Sequence, residues 1–268
     1  MTPPAEMTVT IYSAAHAWVT CSVLNPNAAL RLFCFPYAGG GSVIYHHWPR
    51  YLPDAVEVCA LKLPGREDRF GEPPFTQMTS LVRTLSDVLL PYLDRPFVFF
   101  GHSLGGLISF ELTQLLRQQQ RPMPLHLYAS GIRAPHIPPS REPMHALPTP
   151  AFIEGLRRIK GTPEDILNND SLMQLLLPCL RADFSLSETY TYTPKTPLDC
   201  PITAFGGVDD TIVSQDALDA WQSHTKQAFK RHMFPGDHFF IHYTRPSLLA
   251  VLRQELKSYL QPDGTEGL

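Results

Sequence analysis

The sequence has no long apolar run. No segment approaches the roughly 20 residues that a membrane-spanning helix needs. It also has no basic cluster and no stripe of alternating aromatic and basic residues, and its net charge is −3. No global field draws it to nucleic acid or to an anionic membrane, so neither is expected as a partner. Cysteine is scarce and scattered: Cys21, Cys34, Cys59, Cys179 and Cys200 are odd in number and lack metal-ligand spacing, so no metal site is expected. Cys34 and Cys59 fall inside apolar runs, where a thiol serves as a small core hydrophobe. Met1 to Ala15 has neither a positive n-region nor a sustained apolar stretch, which does not read as a signal peptide. A cytoplasmic location is expected. Repeats and low-complexity tracts are missing as well.

What is present is the ordinary balance of a soluble protein, with 44% hydrophobic and 18% charged residues among 268. That length suits one large α/β domain over residues 1–268. Strand-like runs cover Leu32 to Phe35, Val56 to Leu61, Phe97 to Phe100, Leu125 to Ser130, Ile202 to Phe205 and Phe229 to Phe234. Helical patterns cover Leu81 to Leu93, Leu104 to Gln118, Gln215 to Ser223 and Ser247 to Leu260. Such alternation implies a mostly parallel sheet flanked by helices.

Between Phe100 and the helical pattern at Leu104 stands Gly101-His102-Ser103-Leu104-Gly105. A strand passing straight into a helix through Gly-x-Ser-x-Gly is the nucleophile elbow of the α/β-hydrolase fold. Side chains at Gly101 or Gly105 would collide with the neighbouring strand or helix. A serine needs a base, and the base an orienting acid, which follow in the order Ser, Asp or Glu, His. Gly206-Gly207-Val208-Asp209-Asp210 follows one strand, and Pro235-Gly236-Asp237-His238 follows the next. Loops past strand C-termini are where an open parallel sheet places ligand-facing residues. Ser103, Asp210 and His238 are the expected set. Gly207-x-x-Asp210-x-x-Val213 puts Asp210 at the turn tip; Asp209, which could cap a helix or bond the turn backbone, is the alternative. His224, His232 and His242 compete with His238 but lack the Gly-rich turn. His46, His47, His126, His136 and His145 read as surface or packing residues, and His102 should point away from the serine.

The developing oxyanion needs two donors. The backbone N–H of Leu104 comes with the elbow. The second is expected in Pro36-Tyr37-Ala38-Gly39-Gly40-Gly41-Ser42, from Tyr37 N–H, with Ala38 N–H next. This loop lacks the Gly-Lys-Ser/Thr ending of a phosphate loop, and its contiguous glycines are not a dinucleotide fingerprint. A plain flexible loop is the competing reading. From Pro135 to Pro197 there is no strand signal. Helical pieces run from Thr149-Pro150 to a stop at Gly161, then from a capped start at Thr162 through Leu172, Leu175, Leu176 and Leu180 around Pro178. An insertion at this place reads as a lid over the nucleophile; a packed layer without gating is the alternative.

Five pieces together resemble the type II thioesterases, the free-standing editing enzymes of polyketide and nonribosomal peptide synthesis. They are Leu32 to Gly40, Leu63-Pro64-Gly65-Arg66-Glu67-Asp68-Arg69, Phe99 to Gly106, Leu180-Arg181-Ala182-Asp183-Phe184 and Phe234 to Phe240. Fatty-acid chain-terminating thioesterases share the pattern, which runs from about Leu30 to Leu260. The Pro-Gly-Arg-Glu and Arg-Ala-Asp-Phe pieces make the match specific. The resemblance implies Ser103, Asp210 and His238 in the triad, no cofactor, and acyl or peptidyl carrier proteins as partners of a monomeric enzyme. The substrate would be a thioester on the carrier's phosphopantetheine arm. Asp237 departs from the pattern, since many relatives carry glycine there; it could act on the base or face solvent. A small-molecule carboxylesterase or acyltransferase, and a non-catalytic carrier-binding module, are the rival readings.

Overall fold

The inner apolar runs are strands because both faces of the sheet are covered there, while the edge run Phe229–Phe234 carries Lys230, Arg231 and His232 and is only partly buried. In the computed structural model, which describes residues 17–21 and 25–260, the strands are β1 (Val19–Cys21), β2 (Leu30–Phe35), β3 (Val56–Leu61), β4 (Phe97–His102), β5 (Leu127–Ser130), β6 (Ile202–Gly207) and β7 (Phe229–Phe234). The reading of Met1 to Ala15 lies outside these residues. The helices are α1 (Met78–Leu89), α2 (Leu104–Gln118), α3 (Thr149–Ile159), α4 (Glu164–Leu167), α5 (Asp170–Glu188), α6 (Gln215–Asp219), α7 (Phe240–Tyr243) and α8 (Arg245–Leu256). The sheet order is β1-β3-β2-β4-β5-β6-β7, parallel except for β1, which pairs antiparallel with β3. This is the α/β-hydrolase arrangement that the elbow implied.

Alternate residues build two cores. Phe33, Phe35, Phe97 and Phe99 pack with Leu81, Leu85, Ile108 and Leu112 on one face. Leu32, Cys34, Val98 and Phe100 pack with Trp48, Leu248, Leu252 and Leu256 on the other. A third, smaller cluster, including Met144, Phe152, Leu156, Leu167 and Phe184, lies wholly between β5 and β6.

Several boundaries differ from expectation for local reasons. The helix expected over Leu81 to Leu93 begins at Met78 and tightens to a 3₁₀ turn at Leu90–Tyr92, because Pro91 has no N–H to continue it. The one expected from Gln215 to Ser223 is α-helical only to Asp219 and continues as a 3₁₀ turn. The C-terminal helix starts at Arg245, ahead of Pro246 in its first turn, and ends in a 3₁₀ turn from Lys257. β5 starts at Leu127, after the exposed Leu125. In the insertion, Lys160 and not Gly161 takes the left-handed conformation that ends α3 (φ 61°). Pro163, not Thr162, precedes α4 as its cap and forms no side-chain bond. Leu172 and Leu175 are exposed on α5, so that helix buries Leu180 and Phe184 instead. β1 has no counterpart among the expected strands; three residues carry too little alternation to register.

Two histidines are buried in this framework without charge. His126 stacks on Tyr128 and hydrogen-bonds Tyr259 and Thr203. His224 packs on Phe110 and Trp221. Burial pushes the pKa of each down to about 4. Unfolded histidines titrate near 6.5, so the unfolded chain takes up these protons first as pH falls. The stabilisation is therefore complete above about pH 6.5 and is lost between there and pH 4. Thermal unfolding at pH 7.5, 5.5 and 4.5 should show a falling midpoint, with the drop reduced in a His126→Asn protein.

Candidate active site

The strand order changes direction between β2 and β4, and there an open parallel sheet leaves a crevice at its C-terminal edge. Phe35 pairs with Gly101 at this point, so the glycine loop after β2 and the elbow after β4 emerge side by side. The elbow explains its own glycines. A Cβ on Gly101 would strike the Gly105 carbonyl, and one on Gly105 would strike the Phe35 carbonyl. Between them Ser103 sits at φ 52°, ψ −119°, a conformation that costs a non-glycine residue of order 1–3 kcal/mol. Its amide donates to the Ser130 carbonyl at 2.7 Å, which holds the turn.

The structure brings Ser103, His238 and Asp210 into one chain of hydrogen bonds. His238 Nδ1 lies 2.8 Å from Asp210 Oδ2, and its Nε2 lies 3.1 Å from Ser103 Oγ. A carboxylate can only accept, so Nδ1 carries the proton and Nε2 is free to accept from the serine. Asp210 Oδ1 accepts from the amides of Ile212 (2.7 Å) and Val213 (3.1 Å), which fixes the carboxylate in the turn. Asp209 is exposed, and its side chain makes no hydrogen bond among the described residues, neither a cap nor a turn bond. Of the competing histidines, His224 is in the core, His232 lies beside Glu255, and His242 bonds the Tyr37 hydroxyl.

His102 holds the backbone of His238. Its Nε2 donates to the His238 carbonyl at 3.0 Å, so its Nδ1 accepts from the Ser130 hydroxyl at 2.9 Å. Burial, reinforced by His238, holds its pKa well below the usual range, and the ring stays neutral. Asp237 makes no hydrogen bond to the His238 ring among the described residues, and it does not face only solvent. Its carboxylate accepts from the Phe239 amide at 2.9 Å and secures the turn into α7.

The backbone amides of Tyr37, Ala38 and Leu104 have no acceptor among the described residues, and all three residues line the pocket that contains Ser103 and His238. The glycine loop is not flexible filler. Arg66 grips Asp183 with two bonds of 2.7 and 2.8 Å, and both side chains are almost fully buried. Arg66 also donates to the Gly40 carbonyl at 2.8 Å, while Asp183 accepts from the Gly39 amide at 2.7 Å. Glu67, itself at φ 53°, accepts from the Ser42 hydroxyl and the Val43 amide. These residues lie in the two sequence pieces most specific to the resemblance, yet their structural task was not legible there. The charge pair joins positions 117 residues apart, and no local pattern announces it.

The three grouped ligand-type residues Cys21, Glu57 and Cys59 lie on β1 and β3, outside this pocket. Glu57 is already engaged by Arg31 at 2.7 Å and by the Asn25 amide.

Removing one partner of a buried pair leaves an uncompensated charge, at a cost of roughly 3–5 kcal/mol. Asp183→Asn should lower the urea-unfolding free energy by about 3 kcal/mol, and exposed Asp209→Asn by less than about 0.5 kcal/mol.

With the geometry in place, comparison with known proteins is informative. The thioesterase domain family model matches residues 30–256. The chain is 44% identical to the linear gramicidin dehydrogenase LgrE of Brevibacillus parabrevis, over 91% of this chain and 94% of that one. It is 42% identical to the gramicidin S biosynthesis protein GrsT of Aneurinibacillus migulanus, over 95% and 99%. Among solved structures, YbtT, a type II thioesterase from the yersiniabactin NRPS/PKS biosynthetic pathway, superposes with a TM-score of 0.81 at 28% identity, covering 91% of this chain and all of that one. The protein belongs to the thioesterase family of the α/β-hydrolase fold.

Proposed function

We propose that Ser103, His238 and Asp210 are the nucleophile, base and orienting acid of a thioester hydrolase that clears acyl groups from the phosphopantetheine arm of carrier proteins. The observation that carries this reading is the unbroken Ser103–His238–Asp210 chain opening into a pocket beside two sets of unused amides. His238 Nε2 takes the Ser103 proton as Oγ attacks the thioester carbonyl. The oxyanion is received by the Leu104 N–H and by an N–H of the Tyr37–Ala38 segment. Collapse expels the pantetheine thiol, protonated by His238, and leaves an acyl-enzyme. Water, activated by the same imidazole, then releases the carboxylic acid and restores the serine. Thioester and water give acid and thiol, drawing on the chain's own groups.

Such a reaction on a stalled carrier returns its thiol to service, which is the editing role of the synthase-associated enzymes the sequence resembles. Acyl or peptidyl carrier proteins are the partners in this reading, and the enzyme acts as a cytoplasmic monomer. No helix among the described residues is long and apolar enough to cross a membrane. We read the segment from Pro135 to Pro197 as a lid over the acyl group. Leu156, Ile159, Leu180 and Phe184 of its helices line the same pocket as Ser103, whereas Leu176 does not.

Ser103→Ala should reduce hydrolysis of acyl-loaded carrier protein by at least about 10⁴-fold, with the far-UV spectrum unchanged. Full turnover in that variant would remove the assignment. Asp210→Asn should cost about 10⁴-fold in kcat by favouring the wrong His238 tautomer, and Asp209→Asn little; the opposite ranking would move the role. Ile159→Ala should shift the optimum of kcat/KM towards longer acyl chains. An unchanged optimum would leave the segment as packing.

A further inference from the structure

The pocket around Ser103 carries two positive charges that the hydrolytic mechanism does not use. Arg133 and Arg141 both line it, and no aspartate or glutamate does. Neither arginine has a carboxylate within 4 Å among the described residues. Arg133 is held in place from several sides. The Ile132 carbonyl before it accepts from Trp221 Nε1 at 2.8 Å, and the Ala134 amide after it donates to Ala217. Its own Nε donates to the Ile137 carbonyl at 2.8 Å, which orients the guanidinium and leaves both terminal nitrogens without an acceptor among the described residues. Arg141 is exposed at the pocket rim, with its guanidinium over the Phe184 ring, 5.6 Å from the centroid. It makes no hydrogen bond among the described residues. Glu188, the acid whose field reaches it, gives Oε2 to the amides of Met144 and His145 and to the His145 ring, while its Oε1 is buried without a hydrogen bond among the described residues and does not approach Arg141 within 4 Å.

Two like charges beside one cavity repel each other, and both lose water to the protein. Burial, then the neighbouring Arg141, lowers the pKa of Arg133. A fork of free N–H donors with no internal partner matches the planar or tetrahedral oxygens of an anion. Leu156, Ile159 and Leu180 line the same pocket and suit a carbon chain. We propose that Arg133 and Arg141 form an oxyanion-binding subsite that receives an anionic oxygen group of the substrate. This rests on the thioesterase reading of the pocket. Two parts of such a substrate supply that chemistry: a carboxylate at the far end of the acyl chain, or the phosphate of the pantetheine arm.

The test uses the full chain, Arg133→Gln and Arg141→Gln with four thioesters: butyryl and succinyl groups, each on pantetheine and on 4′-phosphopantetheine. Arg141 has no internal hydrogen bond to lose, so its variant reports on charge even where Arg133→Gln disturbs the loop. If the acyl carboxylate is bound, the succinyl-to-butyryl ratio of kcat/KM falls about tenfold in both variants, with or without phosphate. If the phosphate is bound, the phosphorylated-to-unphosphorylated ratio falls about tenfold instead, whichever acyl group is present. Either result supports the subsite, and the responding ratio in the wild type should also fall as salt is raised. Both ratios within twofold of wild type in both variants would overturn it. Ser103-dependent hydrolysis of butyryl pantetheine by the wild type tests the underlying reading separately.

Discussion

The buried ion pair between Arg66 and Asp183 is the contact on which the site depends. It joins three stretches that lie far apart in the chain: the turn after β3, the glycine loop after β2, and α5. A buried pair of this kind contributes little net stability against a well-packed apolar alternative, because both charges have lost their water. Its worth lies in geometry. A bidentate guanidinium–carboxylate fork permits few orientations, and here each partner spends a remaining group on the backbone of Gly39 or Gly40. The amides of Tyr37 and Ala38, immediately upstream, are thereby held beside the elbow. The insertion is clamped to the same point from above.

The rest of the site follows from the sheet. Reversal of strand order between β2 and β4 opens a crevice, and the register that pairs Phe35 with Gly101 sets two loops at its edge. Asp210 and His238 arrive from the next loops along the sheet, after β6 and β7. His102, whose place in the elbow made it look incidental, spans from Ser130 on β5 to the His238 carbonyl. It passes the rigidity of the sheet centre to the loop that carries His238. Being neutral, it adds no charge beside the His238 imidazole.

Much of this was readable because the chemistry is local. The elbow is five consecutive residues between a strand and a helix. Asp210 and His238 each follow an apolar run, and their order along the chain is that of the fold. Helix ends were less legible where a proline or a 3₁₀ turn altered the last turn, as at Leu90 and Ala220. β1 was invisible because its partner β3, far along the chain, gives it form. The same reason hid the roles of Arg66 and Asp183: their residue types could be seen, but not their pairing across 117 positions. Arg133 and Arg141 were hidden differently. Two arginines in and beside a proline-rich stretch look like solvated surface until the fold places them in the lining of the pocket that contains Ser103.

The most direct test is the structure of the wild-type protein after reaction with an acyl phosphonate, which mimics the tetrahedral intermediate. The account predicts one covalent bond, at Ser103 Oγ, with a phosphoryl oxygen within hydrogen-bond reach of the Leu104 amide and of an amide in the Tyr37–Ala38 segment. His238 should remain between Ser103 and Asp210. Modification at another residue, or a phosphoryl oxygen turned to solvent with those amides unengaged, would contradict it.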